Sequence, residues 1–426
     1  VELTILLVAL FAFLLMGVPV AFALGAASVL TFLALDLPPL VAFQRMAAGI
    51  NSFSLMAIPF FVFAGDLMLR AGIAERLVRV ADAMFGRVRG GLGQVDVGAS
   101  MMFGGVSGSA VASVSALGST LMPMMKAKGY DADYAVNVTA TAAILGILIP
   151  PSHNMIIYAA SSPVGVSVSD LFLAGIGPGL VTGAALALTA WIVAVKRGYP
   201  AGQFPGWPAF GAALGDALPG IFTALIIFAG ILLGVFTPTE SSAIAVVYTI
   251  LIALVVYRSL GWTGFMEAAT GAVKTTAMVM LIIGSAAMFG WLLAVLQAPA
   301  QLADLIGMIT SNPIMVLLII NLILLVLGTF MDMAPLIIIT TPIFQPIAME
   351  AGIDPVQFGM VMMLNLGIGL VTPPVGSVLF VGCAVGGVRI EDAVKTIWPF
   401  YLALFASLMA ITFWPPFSLW LPGLMK

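Results

Sequence analysis

The sequence predicts an all-α polytopic membrane protein built as two inverted repeats, each with a re-entrant helical hairpin and a broken helix. Three observations carry that reading. Of 426 residues, 62% are hydrophobic and 8% charged, with a mean hydropathy of +1.19. Apolar runs of roughly 20 residues, enough to cross a hydrocarbon core, recur along the chain and leave no stretch polar enough for a soluble domain. Second, Ile149-Pro150-Pro151-Ser152 returns as Thr372-Pro373-Pro374-Val375. On that register Pro123 falls on Pro346, Gly129 on Gly352, Asp131 on Asp354 and Gly146 on Gly369, and upstream Gly105 falls on Gly328 and Ser109 on Asp332. Third, the positive charges sort to one side of the helix map that follows.

The first repeat covers 1–195. Apolar helices are expected at 3–16, 19–35 and 55–70, the first read as a mature helix and not as a cleaved leader. The segment 74–88 carries Glu75, Arg76 and Arg79 at helical spacing; it is too polar to span and should lie in the interface. The run 91–127 is apolar but has Gly104 to Ser109 at its middle, which no helix crosses cleanly, so two half-helices should meet there as a hairpin. A helix at 132–162 is broken at Pro150-Pro151, and a long span follows at 168–195. Residues 196–217, rich in Pro and Gly, read as the linker between halves. The second repeat, 218–426, follows the same plan: helices at 218–234, 238–257 and 275–297, a hairpin at 313–349 with its tip at Gly328 to Asp332, a broken helix at 355–386 and a last span at 395–415.

With the N-terminus outside, nearly every Lys and Arg falls on the inner side, and only Arg45 and Lys426 fall outside; that asymmetry orients helices during insertion. It also inverts the halves, the first hairpin opening inward and the second outward. A net charge of −3 adds little, because in a membrane the position of a charge outweighs the sum. The single cysteine, Cys383, excludes an intrachain disulfide or a thiolate metal cluster and reads as a packed small residue. The sequence has no nucleotide-phosphate loop, no metal-ligand cluster and no basic nucleic-acid patch, which speaks against ATP-driven pumping and nucleic-acid binding.

Paired, interrupted hydrophobic segments point to a secondary transporter with its site at the breaks. There, half-helix C-termini offer carbonyls to a cation and N-termini offer N–H groups to an anion. Neutral oxygens at the same breaks suit Na⁺. The candidates are Ser107, Ser109, Thr139, Thr141, Pro150 and Ser152 in the first half, and Thr329, Asp332, Asn365 and Thr372 in the second. Asp332 is the sharpest: an ionisable group in an apolar run costs about 2.5–3.5 kcal/mol on insertion scales and is usually paired or functional. It reads as a Na⁺ ligand or an acceptor for solute hydroxyls, with helix capping as the alternative. His153 and Asn154 follow the first break and could bond a solute's hydroxyl or amide groups. Glu240, at a helix start, reads as a cap. Gly105-Val106-Ser107-Gly108 also fits the G-x-S-G pattern of intramembrane serine proteases, with His153 as base; the repeat has Phe330 in the nucleophile's place.

Gly105 to Ala110, Gly146 to Ser152, Gly234 to Ser241 and Gly367 to Gly376 together resemble the large membrane subunit of tripartite ATP-independent periplasmic (TRAP) transporters over nearly the whole chain. The resemblance implies an elevator-type fold in the bacterial inner membrane, Na⁺-driven import of organic acid anions, and two partners: a small four-helix membrane subunit and a periplasmic substrate-binding protein. It also implies that Ser107, Ser109 and Asp332 lie at the solute and Na⁺ sites. His153-Asn154, where many members have an apolar residue, resembles branches that handle sialic acid or other sugar acids. The alternative is a self-sufficient Na⁺/carboxylate symporter.

Overall fold

The computed structural model describes residues 2–202, 204–310 and 312–425, and at positions 105 and 106 the backbone alone. Lys426, assigned above to the outer side, lies outside the described residues. These residues are helical apart from short connections and one isolated bridge, Arg89 with Ala201.

In the first half, α1 (Glu2–Leu15) and α2 (Val20–Ala34) are parted by Gly17, at φ 79°, and Pro19, which precedes the second helix. Then come α3 (Pro39–Ile50), a 3-10 turn (Phe53–Met56), α4 (Ala57–Arg70) and the amphipathic α5 (Ile73–Phe85). The hairpin is α6 (Gly91–Ser107) with α7 (Ala110–Ala127). The broken helix is α8 (Ala132–Ala142), α9 (Leu145–Leu148) and α10 (His153–Ser161), and α11 (Val168–Lys196) closes the half. The second half runs α12 (Trp207–Leu232), α13 (Pro238–Leu251) extended by a π turn (Ile252–Val256), α14 (Trp262–Val295) and α15 (Ala298–Ile309). Its hairpin is α16 (Pro313–Phe330) with α17 (Met333–Glu350), and its broken helix is α18 (Pro355–Leu370) with α19 (Ser377–Gly386). Last come α20 (Ile390–Thr396), α21 (Trp398–Phe413) and α22 (Pro416–Leu424). Among the described residues, 7 helices are long and apolar enough to cross a membrane, or up to 9 if each bent pair counts as one span.

Helix interruptions fall at 108–109, 149–152, 331–332 and 371–376, within the segments expected as hairpins and broken helices. Four differences stand out. The expected linker shrinks, because α12 starts at Trp207, within 196–217; Pro208 in its first turn suits a helix start, and Asp216 is held by Arg76 and Arg79 of α5 at 3.2 and 2.5 Å. The helix expected from 275 starts at Trp262, where Glu267 on its polar first turns pairs with Arg70. The first broken helix is interrupted twice, at Ala143-Ile144 and at 149–152. The short helices α3, α15, α20 and α22 had no expectation; α3, for one, is polar enough to escape a span reading, yet Arg45 on it lies 4.8 Å from the Trp291 ring of α14.

Two packed groups result. One joins α1–α4 with α12–α14. The other joins α6–α11 with α16–α19, α21 and α22, and here the halves interlock, α19 packing on α7 and α8, and α10 on α17. Lys126 of α7 donates to the Gly386 carbonyl at the end of α19. Tyr158 of α10 donates to the Pro355 carbonyl at 2.6 Å and accepts from Gln345 of α17 at 3.0 Å. Helix α5 bridges the groups, lying on α6 on one side and bound to α12 on the other. Its Arg76 also stacks 3.7 Å from the Tyr257 ring. Cys383 is buried, and Glu240 closes a capping box with Thr237.

Candidate functional site

Each hairpin tip lies backbone to backbone on the break of its own half. At the first tip, α6 ends in Gly108 at φ 59°, a left-handed position that favours glycine, and Ser109 starts α7 by accepting from the Ala112 N–H at 3.3 Å. A Cβ at Gly108 would lie 3.0 Å from the Pro151 carbonyl oxygen and 3.2 Å from Ser152 Cα. One turn earlier, a Cβ at Gly104 would lie 2.6 Å from Gly146 Cα. No side chain fits at either contact, so polypeptide meets polypeptide. The second tip repeats the contact with other residues: a Cβ on Gly369 would lie 2.5 Å from the Gly328 carbonyl carbon, and the Val375 N–H donates to the Thr329 carbonyl at 3.1 Å. Both breaks carry a cis peptide, Pro150-Pro151 and Pro373-Pro374.

The structure brings Ser107, Ser109, Pro150, Ser152, His153 and Asn154 to the first tip and break. Ser107 Oγ lies 3.0 Å from Ser113 Oγ, not in a bond to His153. Ser152 begins α10 without capping it, and its buried Oγ has no hydrogen-bond partner among the described residues. His153 is half-buried and Asn154 buried. Thr329, Asp332 and Thr372 gather at the second. Asp332 holds the N-cap position of α17 but makes no capping bond, and it is exposed. The capping alternative is therefore absent from this structure.

Three candidates sit on helix shafts. Thr139 donates to Asp96 or to the Ala135 carbonyl, and Thr141 to the Asn137 carbonyl at 2.6 Å, so both hydroxyls are engaged before the break. Asn365, within α18, donates to the carbonyl and side-chain oxygens of Asn321 at 2.9 and 2.7 Å, and its own Oδ1 has no partner among the described residues. Thr372 turns its hydroxyl back to the Ile368 carbonyl at 2.7 Å. Asp96, Ser113 and Asn321 escaped the sequence reading. Asp96 stands soon after the charged loop at 87–89 and passes for an interfacial residue, while Ser113 and Asn321 are revealed only by their partners.

Ser152 Oγ near the first tip and Asn365 Oδ1 in α18 make no hydrogen bond among the described residues, and the exposed Asp332 carboxylate at the second tip makes no capping bond. Interrupted helices holding such oxygens at paired hairpin tips are transporter architecture.

The comparisons agree. The family described as "Tripartite ATP-independent periplasmic transporter, DctM component" matches residues 7–417. The chain is 42% identical to YgiK of Salmonella typhimurium, covering 96% of this chain and 94% of that protein. It is 37% identical to the 2,3-diketo-L-gulonate TRAP transporter large permease protein of Escherichia coli, over 94% of each. It is 39% identical to the sialic acid TRAP transporter large permease protein of Vibrio cholerae, over 96% of this chain and 95% of that one. Among solved structures, the YdaH transporter of Alcanivorax borkumensis shares the fold at a TM-score of 0.57 and 14% identity, covering 88% of both chains. A component of a tripartite system is neither a self-sufficient symporter nor an intramembrane protease. The chain belongs to the DctM family of tripartite ATP-independent periplasmic transporters, as a large permease component: a multi-pass inner-membrane protein and not an enzyme.

Proposed function

We propose that this permease imports organic acid anions of the sugar-acid class with Na⁺ as coupling ion, taking the solute from a periplasmic binding protein and working beside a small four-helix membrane subunit. The observation that carries the reading is the docking of each tip on its own Pro-Pro break, with Ser152 Oγ at the first break and Asn365 Oδ1 in the helix that leads to the second left without partners among the described residues. Two such places serve as Na⁺ cages, formed at Ser107, Pro150 and Ser152 in one half and at Thr329, Asp332, Asn365 and Thr372 in the other. The anion lies between them, with Ser107, Ser109, Ser152, His153, Asn154 and Asp332 on its hydroxyl and amide groups. Asp332 faces a carboxylate solute only through an intervening cation or through solute hydroxyls, since two bare anions repel. Relatives named for diketogulonate and sialic acid support a sugar acid, while one named for C4-dicarboxylates keeps that class as the competing reading.

The same reading includes movement. Residues 91–165 and 313–390 travel as one body, because parting the tips from the breaks would expose unpaired backbone groups at membrane depth. Helices α1–α4 and α12–α14 form the scaffold that holds the small subunit, α5 is the arm between them, and the halves are inverted repeats. Proteoliposomes holding the whole complex test the coupling: uptake is expected with a Na⁺ gradient and none with a proton gradient alone. Equal uptake under both sinks the Na⁺ reading.

A further inference from the structure

Two connections carry the chain between the packed groups beside α5, and they are stitched to each other. One leads from α5 into α6, the other from α11 into α12. The Gly90 N–H donates to the Pro200 carbonyl at 3.2 Å, and Arg89 forms the isolated bridge with Ala201. A Cβ on Gly202 would lie 2.3 Å from the Gly86 carbonyl oxygen, and one on Gly90 would lie 2.1 Å from Ala194 Cβ, so the connections meet with no room for a side chain between them. Helices α5 and α12 run antiparallel: Gly220 meets Ile73 at the start of α5, and Asp216 meets Arg76 and Arg79 further on. That course brings the first turn of α12 to the end of α5.

The surface here mixes bare apolar groups with uncompensated cations. Met84, Val88, Phe204 and Trp207 are exposed, Trp207 by 76%, and its ring stands edge-on to Phe204 and Phe210 at 5.4 and 6.1 Å. Arg87 and Arg89 flank Val88, and Lys196 ends α11 behind them; all three are exposed, and their side chains make no hydrogen bond or ion pair among the described residues. Arg76, Arg79 and Arg197, by contrast, are held by Asp216, Asp131 and Asp133. The acid beside Gly86 is Asp82, half-buried one turn back along α5. The patch is therefore net positive.

Such a mixture suits the boundary between headgroups and acyl chains, where indole and aliphatic groups take the apolar edge and guanidinium groups take phosphate. A zwitterionic headgroup brings its own ammonium, which the same cations repel. Charge complementarity selects an anionic lipid. We propose that the end of α5 and the start of α12 form a binding surface for anionic phospholipid headgroups, with phosphate on Arg87 and Arg89 and the acyl edge against Val88 and Trp207. Lipid held there steadies the stitched connections on which the moving body swings. Only this effect on movement rests on the transport reading above; lipid binding does not.

Trp207 is the reporter. The complete complex is placed in vesicles of equal phosphatidylglycerol and phosphatidylcholine, with quenching bromines on the acyl chains of one lipid or the other. The share of Trp207 is the difference from Trp207→Phe. Quenching should be stronger with bromine on phosphatidylglycerol, and Arg87→Gln and Arg89→Gln should each cut that preference by about fivefold. Should the arginine variants fail to fold, wild-type protein in about 1 M salt, which screens exposed charges, should lose the preference and stay quenched. Equal quenching by both lipids, a preference that survives in the double arginine variant or in salt, or no quenching of Trp207 in the complex would overturn the site. Uptake in phosphatidylcholine alone should fall several-fold, and the double arginine variant should show that lower rate in either lipid. Equal wild-type uptake in the two lipids overturns the steadying of the connections. Failure of the Na⁺-coupled reading would abolish Na⁺-driven uptake in every vesicle and leave the quenching pattern untouched.

Discussion

The two hairpin tips meet their Pro-Pro breaks through the same backbone contact and present opposite side chains. At the first, Ser107 and Ser109 are small, neutral and half-buried, each bonded within its own hairpin, and Gly108 has to be left-handed. At the second, Phe330, Met331 and Asp332 replace them; Met331 is extended at φ −128°, and the carboxylate is exposed and uncapped. The difference teaches that glycine and proline fix how a tip docks, while the residues between them are free to specialise. One tip supplies hydroxyls and the other a charge.

Asp332 is where that contrast breaks most easily. Asp332→Ala should reduce Na⁺-driven uptake by the complete complex to background while the protein stays monodisperse in size-exclusion chromatography, because the carboxylate supports no helix end. Full activity in Asp332→Asn would show the charge to be dispensable, and the asymmetry between tips would lose its functional meaning.

A second experiment asks whether the unlike tips move as one. Cysteines replacing Met102 of α6 and Ala224 of α12, which line one apolar cavity of about 320 Å³, would be joined by a cleavable bifunctional reagent in a Cys383→Ala background. Uptake should stop on joining and return on cleavage. Transport that survives such a link, here and at other pairs between α6 and α12, would replace the moving body with local gating at a fixed site.

The smallest expected effect sharpens the backbone half of the comparison. Gly108→Ala forces a Cβ into a left-handed turn and against the Pro151 carbonyl, and should cost about 1–3 kcal/mol, read as a lower melting temperature. Met331→Leu, a volume-conserving change at the matching position in extended backbone, should cost less stability than Gly108→Ala. Equal losses would mean that the two tips are not built on different backbone demands.

Much of this was legible in the chain. Gly104 to Ser109, Gly328 to Asp332 and the two Pro-Pro pairs locate both tips and both Pro-Pro breaks, though not the interruption at Ala143-Ile144, because glycine and proline restrict the backbone locally whatever surrounds them. Composition fixed the membrane class for an equally local reason: apolar residues in runs need no partner to prefer lipid. Tertiary structure alone decided which oxygens remain free. Thr139 and Asn365 look alike as polar residues near a break, yet folding gives the first hydroxyl to Asp96 or the Ala135 carbonyl and leaves the second residue an Oδ1 with no partner among the described residues. It also decided that α12 begins at Trp207, where Asp216 meets two arginines far away in sequence. A hydrogen bond or ion pair between distant helices depends on where both ends arrive, and no local pattern of residues encodes that.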